Sequence, residues 1–344
     1  ASITGAADNQ WNSVAISSPS TNLAATGLAD GTYKAYAMDD TGNLSSASSN
    51  SVIVDTTLPT VSSVAITSAD GDQNSFLNAT DNVSVTATFS EVVNVAGGPP
   101  TLTLVVGSTN RAATYVSGSG SDDLVFRYTI LSGDNDTNGI SIGANAFALN
   151  SGTIRDVAGN DGTLTHGAVD NNSSYKVDTT APSVDNFTMS DTELKIGDNA
   201  TVTLVFSEPV CGSSSGCTRM QTGSGPAFTT ADITVSNTYS GSPSGMLSTM
   251  YSSDKITWMG TFTPSMNSQH ESNMLSLATT YTDLAGNNGP AATTANFAVD
   301  TMCSYTNSCT NNVVDTLFPT VNSVAITSAT GIHNNLLNAG DVVS

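Results

Sequence analysis

Basic residues are scarce in this chain of 344 residues. It has 8 Lys and Arg against 29 Asp and Glu, and its formal net charge is −21. Binding to nucleic acid or to an anionic membrane surface requires clustered Lys and Arg, so we expect neither as a partner. Acidic groups on such a cation-poor surface need water or a divalent cation, and Ca²⁺ takes oxygen ligands of this kind.

Long apolar runs and catalytic motifs are also missing from these residues. No run approaches the roughly 20 apolar residues that a membrane helix needs. The three His are scattered, and neither a Gly-x-Ser-x-Gly elbow nor a His-Glu-x-x-His motif occurs. The acids recur at matching places in a repeat, which is more typical of architecture than of an active site. We therefore expect that the chain is not an enzyme.

Cysteine is limited to four residues in two local pairs, Cys211/Cys217 and Cys303/Cys309. Four cysteines permit three connectivities, of which the two short loops are our preferred one. The spacing does not fit zinc ligands. Disulfides formed in an oxidising, extracellular location are favoured over free thiols.

Three phrases recur in a fixed order along the chain. An Asp-Thr linker phrase is "VDTTLPTV" at 54–61, "VDTTAPSV" at 177–184 and "VDTLFPTV" at 314–321. A phrase ending in Ser-Glu starts at Leu77 and Leu194, and its opening returns at Leu337. An Asp-x-x-Gly-Asn phrase precedes each linker. Such internal repetition predicts a tandem array of similar units.

Apolar and polar residues alternate with period two between these phrases, as in "TLTLVV" (101–106) and "TVTLVF" (201–206). This pattern predicts half-buried strands, and the Gly, Ser, Asn and Asp clusters between them predict turns. We expect an all-β fold of tandem Ig-like antiparallel β-sandwiches, arranged as beads on a string. The linker Pro cannot donate to a β-ladder, so it ends one sandwich and stiffens the junction to the next. Trp11 and Trp258 are expected in cores.

The linker aspartates divide the chain into four parts. Residues 56–178 and 179–315 are predicted Ig-like domains, the second with both cysteine loops. Residues 1–55 are interpreted as the closing part of such a domain, and 316–344 as the opening strands of the next. Three explanations stay open: a covalent tandem array, completion by the tail of a neighbouring copy through strand addition, or an arbitrary window of a longer chain.

Together, "VDTTAPSV", "GDNATVTLVFSEPV", "DVAGNDGTLTHGAV" and "LADGTYKAYAMDDTGN" resemble the Ig-like repeats of large bacterial surface proteins and adhesins. The resemblance covers nearly the whole chain. It implies a secreted, cell-surface protein with many Ig-like domains in tandem, often with Ca²⁺ near the domain junctions. It further implies an extender, adhesin or surface fibre. Both cysteine loops look like insertions relative to this pattern.

Calcium is the sharpest chemical hypothesis, and it has two candidate locations. "DNDTNG" places Asp134, Asp136 and Asn138 at alternate positions before a Gly, like the first half of an EF-type loop without its closing Glu. An Asx-rich turn is the competing interpretation. "DGDQN" (70–74) has the same spacing without the Gly.

The second candidate is a set of acids that recur at the domain junctions. Carboxylates gathered there would satisfy a six- to eight-coordinate Ca²⁺ and stiffen the array. The competing interpretation is that they cap turns. The set comprises Asp55, Asp178, Asp315, Glu91, Glu208, Asp39, Asp156 and Asp283.

From these observations we expect a structural segment of an extracellular fibre or giant adhesin, acting as a stiff Ca²⁺-stabilised spacer with neighbouring copies of itself as partners. The alternative is a ligand-binding module centred on 179–315, which would bind a glycan or a host cell-surface protein. An exposed patch with Met220, Met246 and Met250 would favour the alternative.

Overall fold

The computed structural model describes residues 6–212, 228–237, 243–302 and 342. Within them the regular secondary structure is all β-strand, apart from a short 3₁₀ turn at Asp8–Gln10. The first two strands, β1 (Gly31–Tyr33) and β2 (Val52–Val54), form an antiparallel pair.

Residues 61–178 form the first sandwich, which has ten strands. They are β3 (Val61–Asp70), β4 (Phe76–Leu77), β5 (Asn82–Gly97), β6 (Thr101–Val106), β7 (Thr109–Ser117), β8 (Ser121–Thr129), β9 (Asn135–Asp136), β10 (Ser141–Ala148), β11 (Gly152–Arg155) and β12 (Lys176–Asp178). One sheet has the order β10-β6-β7-β8-β5-β11, with β3 also paired to β5, and the other is β4-β12-β9. Both sheets contribute to one hydrophobic core.

Residues 184–300 form the second sandwich. Its described strands are β13 (Val184–Met189), β14 (Glu193–Lys195), β15 (Ala200–Phe206), β16 (Val210–Cys211), β17 (Ile233–Asn237), β18 (Gly245–Leu247), β19 (Thr257–Pro264), β20 (Gln269–Leu277), β21 (Thr282–Asp283), β22 (Ala292–Thr293) and β23 (Phe297–Asp300). The two main sheets are β13-β15-β19-β18 and β14-β23-β20-β17, with β22 on β20. They share a separate core.

The alternation of apolar and polar residues along the strands accounts for the two packed sheets of each sandwich. In β6 every second residue is buried, and β15 buries Ala200, Val202, Leu204 and Phe206. Side chains of a strand point to opposite faces in turn, so one apolar face of each sheet packs inward. The expectation of Ig-like β-sandwiches is confirmed.

Aromatic rings fill the centre of the second core. Trp258 is 1% exposed, and its ring centroid lies 4.9 Å from that of Phe228, which in turn packs on Phe206. The core position predicted for Trp258 is therefore confirmed. The same prediction for Trp11 is wrong, because Trp11 is 38% exposed and no described residue of 6–58 is buried.

The cysteine predictions fall mainly outside the described residues, as Cys217, Cys303 and Cys309 all do. Cys211 ends β16, where it is 2% exposed, and it is not a free thiol. Its pairing remains a prediction. Within the described parts of the chain, no helix is long and apolar enough to cross a membrane.

Trp258→Ala should destabilise the second sandwich by about 3–5 kcal/mol, the usual cost of deleting a large buried aromatic side chain. Trp11→Ala, the matched control, should change stability by no more than about 0.5 kcal/mol. Calorimetric unfolding of the whole chain measures both. Equal losses for the two variants would contradict the placement of the core.

Candidate metal centres

The three Asp-x-x-Gly-Asn phrases fold into the same loop. In the second sandwich, Asp283 Oδ1 accepts hydrogen bonds from the backbone N–H groups of Ala285 and Asn287, at 2.8 and 2.9 Å. The loop Gly has positive φ, +94° at Gly286, and the Gln73 side chain lies so close to Gly286 that a Cβ would clash with it. Glycine meets both requirements, since it tolerates positive φ and allows close approach.

The Asn of each loop in the two sandwiches joins the loop to the preceding linker. Asn287 Nδ2 donates to the carbonyl of Asp178 at 2.9 Å and to Asp283 Oδ2 at 2.8 Å. Asn160 Nδ2 likewise donates to the carbonyl of Asp55 at 3.1 Å and to Asp156 Oδ2 at 2.7 Å. One amide group thus holds the linker aspartate beside the loop aspartate.

The Ser-Glu phrase brings a third carboxylate to the same place. Glu91 lies in β5 within a register shift between Thr88 and Val93, which interrupts the regular ladder to β8. Glu208 lies two residues after the end of β15. An interrupted ladder re-aims a side chain, and both glutamates come to lie beside the linker.

Two acidic clusters result. The first acidic cluster is Asp55, Glu91 and Asp156, and the second acidic cluster is Asp178, Glu208 and Asp283. In each, one oxygen per residue lies within 4.8 Å of the others. Because Ca–O distances are about 2.3–2.6 Å, oxygens on opposite sides of one Ca²⁺ are about 5 Å apart. Three hard carboxylate donors at this spacing fit Ca²⁺.

In the second acidic cluster, burial and neighbouring carboxylates raise the pKa values of two acids. Burial, together with the charges of Asp178 and Asp283, raises the pKa of Glu208 to about 7. Burial also raises the pKa of Asp283, with a further contribution from Asp178. In the first acidic cluster the pKa of Glu91 is raised by burial and by neighbouring acids. A bound cation would relieve this repulsion.

Of the remaining acids of the predicted junction set, Asp39 alone is among the described residues. Asp39 is exposed in residues 6–58, where hydrogen bonds from Asn43 and Thr41 lower its pKa, and it joins neither cluster. Asp315 is outside the described residues. Among the described residues, Val299 in β23 is the last member of the second core, and it begins a Val-Asp-Thr phrase outside the three repeated phrases.

The EF-type loop hypothesis is disfavoured by the contacts of its two aspartates. The buried Asp134 forms an ion pair with the partly exposed Arg111 and accepts a hydrogen bond from the hydroxyl of Tyr128. Asp136 accepts from the backbone N–H groups of Gly107, Asn138 and Gly139. A Ca²⁺ ion would have to displace Arg111, so the geometry favours the turn interpretation.

Several residues at the junctions were not anticipated from the sequence. Asp30 accepts hydrogen bonds from Thr56 and Thr57 of the first linker, all at 2.7 Å. Asn74 and Asn78 of the first sandwich donate to the loop of the second. Every Asp-x-x-Gly-Asn phrase ends in Asn, so the importance of Asn160 and Asn287 could have been predicted from the repetition. Asp30, in contrast, has no repeated counterpart among the three phrases.

The comparison with protein-family models agrees with this fold. Residues 224–299 match the family model described as Bacterial Ig-like domain. These residues are thus similar in sequence to a bacterial Ig-like domain. The likeness of the chain to bacterial Ig-like repeats, expected from the phrases, is thereby confirmed over these residues. No curated protein matches the sequence.

Two solved structures resemble the Ig-like chain distantly. FdeC, described as an Escherichia coli adhesin, is 12% identical, with 71% of this chain and 63% of that chain covered and a TM-score of 0.30. A titin tandem of Ig domains is 6% identical, with 66% and 91% covered and a TM-score of 0.18. The chain thus spans less than two thirds of the FdeC structure.

Glu208→Gln should remove a pH dependence of stability measured in chelator. The folded-state pKa of Glu208, about 7, is above its ordinary value of 4.5. The folded state therefore binds the proton more tightly, and stability falls as pH rises between these values. The neutral amide cannot lose a proton, so the variant should show a flatter profile.

The measurement is the melting temperature from pH 4 to 9 without divalent ions. The exposed Glu271→Gln, in β20, is the matched control and should keep the wild-type slope. An unchanged slope in Glu208→Gln would show that titration of this carboxylate does not cause the pH dependence of stability.

Proposed function

We propose that this chain is a structural segment of an extracellular surface fibre or giant adhesin, in which Ca²⁺ at the linkers stiffens a row of Ig-like sandwiches. The observation that carries the proposal is the repetition of the same acidic cluster beside two successive linkers. An acidic cluster that is repeated from junction to junction suits a spacer, because each sandwich of such an array contacts only its neighbours.

The second acidic cluster is placed where an ion would affect the geometry of the junction. Asp178 belongs to the linker, while Glu208 and Asp283 belong to the second sandwich. The loop that contains Asp283 also contacts the first sandwich, where Asn74 and Asn78 bond to its backbone. One cation would therefore join the linker, the following sandwich and the loop that meets the preceding one.

The extracellular location rests on composition and family. The polar surface is acidic and rich in Ser, Thr and Asn, with few Lys residues. Millimolar Ca²⁺ sites are typical of extracellular modules. The bacterial Ig-like domain at 224–299 and the predicted disulfides agree with a secreted protein. Neighbouring copies of the chain are the proposed partners.

A second candidate function is a ligand-binding module in the second sandwich. Met246, Tyr251 and Met259 are 75%, 68% and 51% exposed, whereas Met250 is fully buried and Met220 lies outside the described residues. Tyr251 and Met259 line a groove of about 460 Å³. An exposed aromatic ring in a groove that also presents Ser and Thr hydroxyls can stack on a sugar, and a glycan-array screen of the chain tests this.

Asp178→Asn should bind one Ca²⁺ fewer per chain than the wild type, because the linker loses a carboxylate ligand. At free Ca²⁺ 100-fold above Kd, the wild type should gain about 2.7 kcal/mol of stability from each site. Calorimetric titration gives the stoichiometry. Small-angle scattering with and without Ca²⁺ gives the stiffness, which should increase with Ca²⁺ in the wild type.

The exposed Asp122→Asn is the matched control, since it removes a carboxylate outside both clusters. It should keep the wild-type stoichiometry and stiffening. If chelator leaves the wild-type scattering and melting unchanged, the spacer has no calcium dependence and the proposed mechanism is wrong.

A further inference from the structure

Residues 6–58, which we name the head segment, have apolar side chains but bury none of them. Ile16 is 74% exposed, Ile53 is 76% exposed and Met38 is 62% exposed. The two sandwiches, in contrast, each enclose a continuous core. An open sheet with this much exposed apolar surface is typical of an interaction site.

Comparison of β2 with β12 of the first sandwich indicates which strand would pair with β2 in the head segment. In the first sandwich β12 lies between β9, antiparallel to it, and β4, parallel to it, so that Val177 pairs with Leu77. Val54 and Val177 both directly precede the linker aspartate. On one side of β2 lies β1, and its other side has no strand among the described residues.

The same parallel pairing closes the second sandwich. There β23 runs beside β14, and Val299 pairs with Leu194. All four residues of these two pairs are at most 1% exposed. A buried Val-Leu pair next to a Val-Asp phrase is thus the common closing element, and Val54 is the member that has no leucine in the described structure.

The sequence contains a third copy of the leucine phrase. Residues 321–341, which we name the tail segment, repeat residues 61–81: "VNSVAITSATGIHNNLLNAGD" against "VSSVAITSADGDQNSFLNATD". In this alignment Leu337 takes the place of Leu77. We propose that the tail segment of a second copy of this chain docks on the head segment, with Leu337 beside Val54.

An independent observation comes from the junction loops. At the described junction Asn74 Nδ2 donates to the carbonyl of Leu284 at 2.9 Å, and Asn78 Nδ2 to that of Ala285 at 3.0 Å. Ala285 is 1% exposed as a result of this junction and its own fold. The contacts come from the segment that the tail segment repeats.

The loop of the first sandwich offers the same carbonyls without such a cover. Val157 and Ala158 occupy the places of Leu284 and Ala285 in the phrase, and both are exposed, Val157 to 78%. Asn334 and Asn338 of the tail segment stand where Asn74 and Asn78 do. Docking of the tail segment would therefore place Leu337 beside β2 and the side-chain amides of Asn334 and Asn338 beside this loop.

This inference rests on the proposed function as a repeating spacer, and it specifies how one copy meets the next. The head segment of one copy and the tail segment of another are different surfaces, so the contact is heterologous. A heterologous contact that does not close into a ring extends as a filament. Copies of this chain should thus add head to tail and extend the row of sandwiches.

The test is sedimentation velocity of the 344-residue chain over a range of concentrations. The wild type should form oligomers that grow with concentration. Leu337→Asp should weaken association by at least about 100-fold, because an ionised carboxylate would have to be buried without a partner. Ile332→Asp is the matched control, since the aligned residue of the first sandwich is the exposed Asp72.

A synthetic peptide of residues 321–341 provides the second readout. In excess it should convert wild-type oligomers to capped monomers and protect the amides of Val54 and Ala158 from hydrogen exchange. A wild-type chain that stays monomeric, or association of Leu337→Asp equal to that of Ile332→Asp, would overturn the proposal. Monomers already protected without peptide would show closure within one chain instead of between copies.

Failure of this docking is distinguishable from failure of the spacer function. Ca²⁺-dependent stiffening between the two described sandwiches can be measured on Leu337→Asp monomers, where no contact between copies contributes. If stiffening persists there, the spacer proposal stands without head-to-tail docking.

Discussion

The hydrogen bonds of one asparagine amide hold each junction together. Asn287 joins the carbonyl of Asp178 to the carboxylate of Asp283, and Asn160 does the same for Asp55 and Asp156. Each such bond contributes about 1 kcal/mol. Their larger effect is positional, because they bring together two aspartates that are far apart in the chain.

Placing carboxylates this close has an electrostatic consequence. Like charges raise one another's pKa values unless a cation or hydrogen bonds compensate. In the first acidic cluster, burial disfavours ionised Asp156, but hydrogen bonds from Asn160 and Gly159 outweigh it and lower the pKa. In the second acidic cluster burial prevails and the pKa of Asp283 is raised. The same loop thus shifts the pKa of its aspartate in opposite directions according to how deeply it is covered.

The fold class and much of the site could be predicted from the sequence, since both depend on local patterns. Period-two alternation determined β6 and β15, and the recurrence of Asp178, Glu208 and Asp283 indicated the cluster that the structure assembles. The environment of Asp134 could not be predicted, because its partner Arg111 comes from a different strand. Spacing alone cannot distinguish a carboxylate free to bind metal from one already paired. Trp11 was misplaced for a similar reason, since burial depends on strands that pack on it from elsewhere.

The difference between the two clusters follows from what precedes each linker. Before Asp178 stands a closed sandwich, whose Gln73, Asn74 and Asn78 lie against the loop of the next one. Before Asp55 stands the open head segment, whose Asp30 accepts hydrogen bonds from the linker threonines and which leaves Val157 exposed. A junction is therefore a property of two consecutive sandwiches, and neither the burial nor the charge of its cluster is encoded in one repeat alone. If the tail segment of another copy completes the head segment as proposed, the first acidic cluster would be covered more deeply, and assembly along the row would be physically coupled to cation affinity at its junctions.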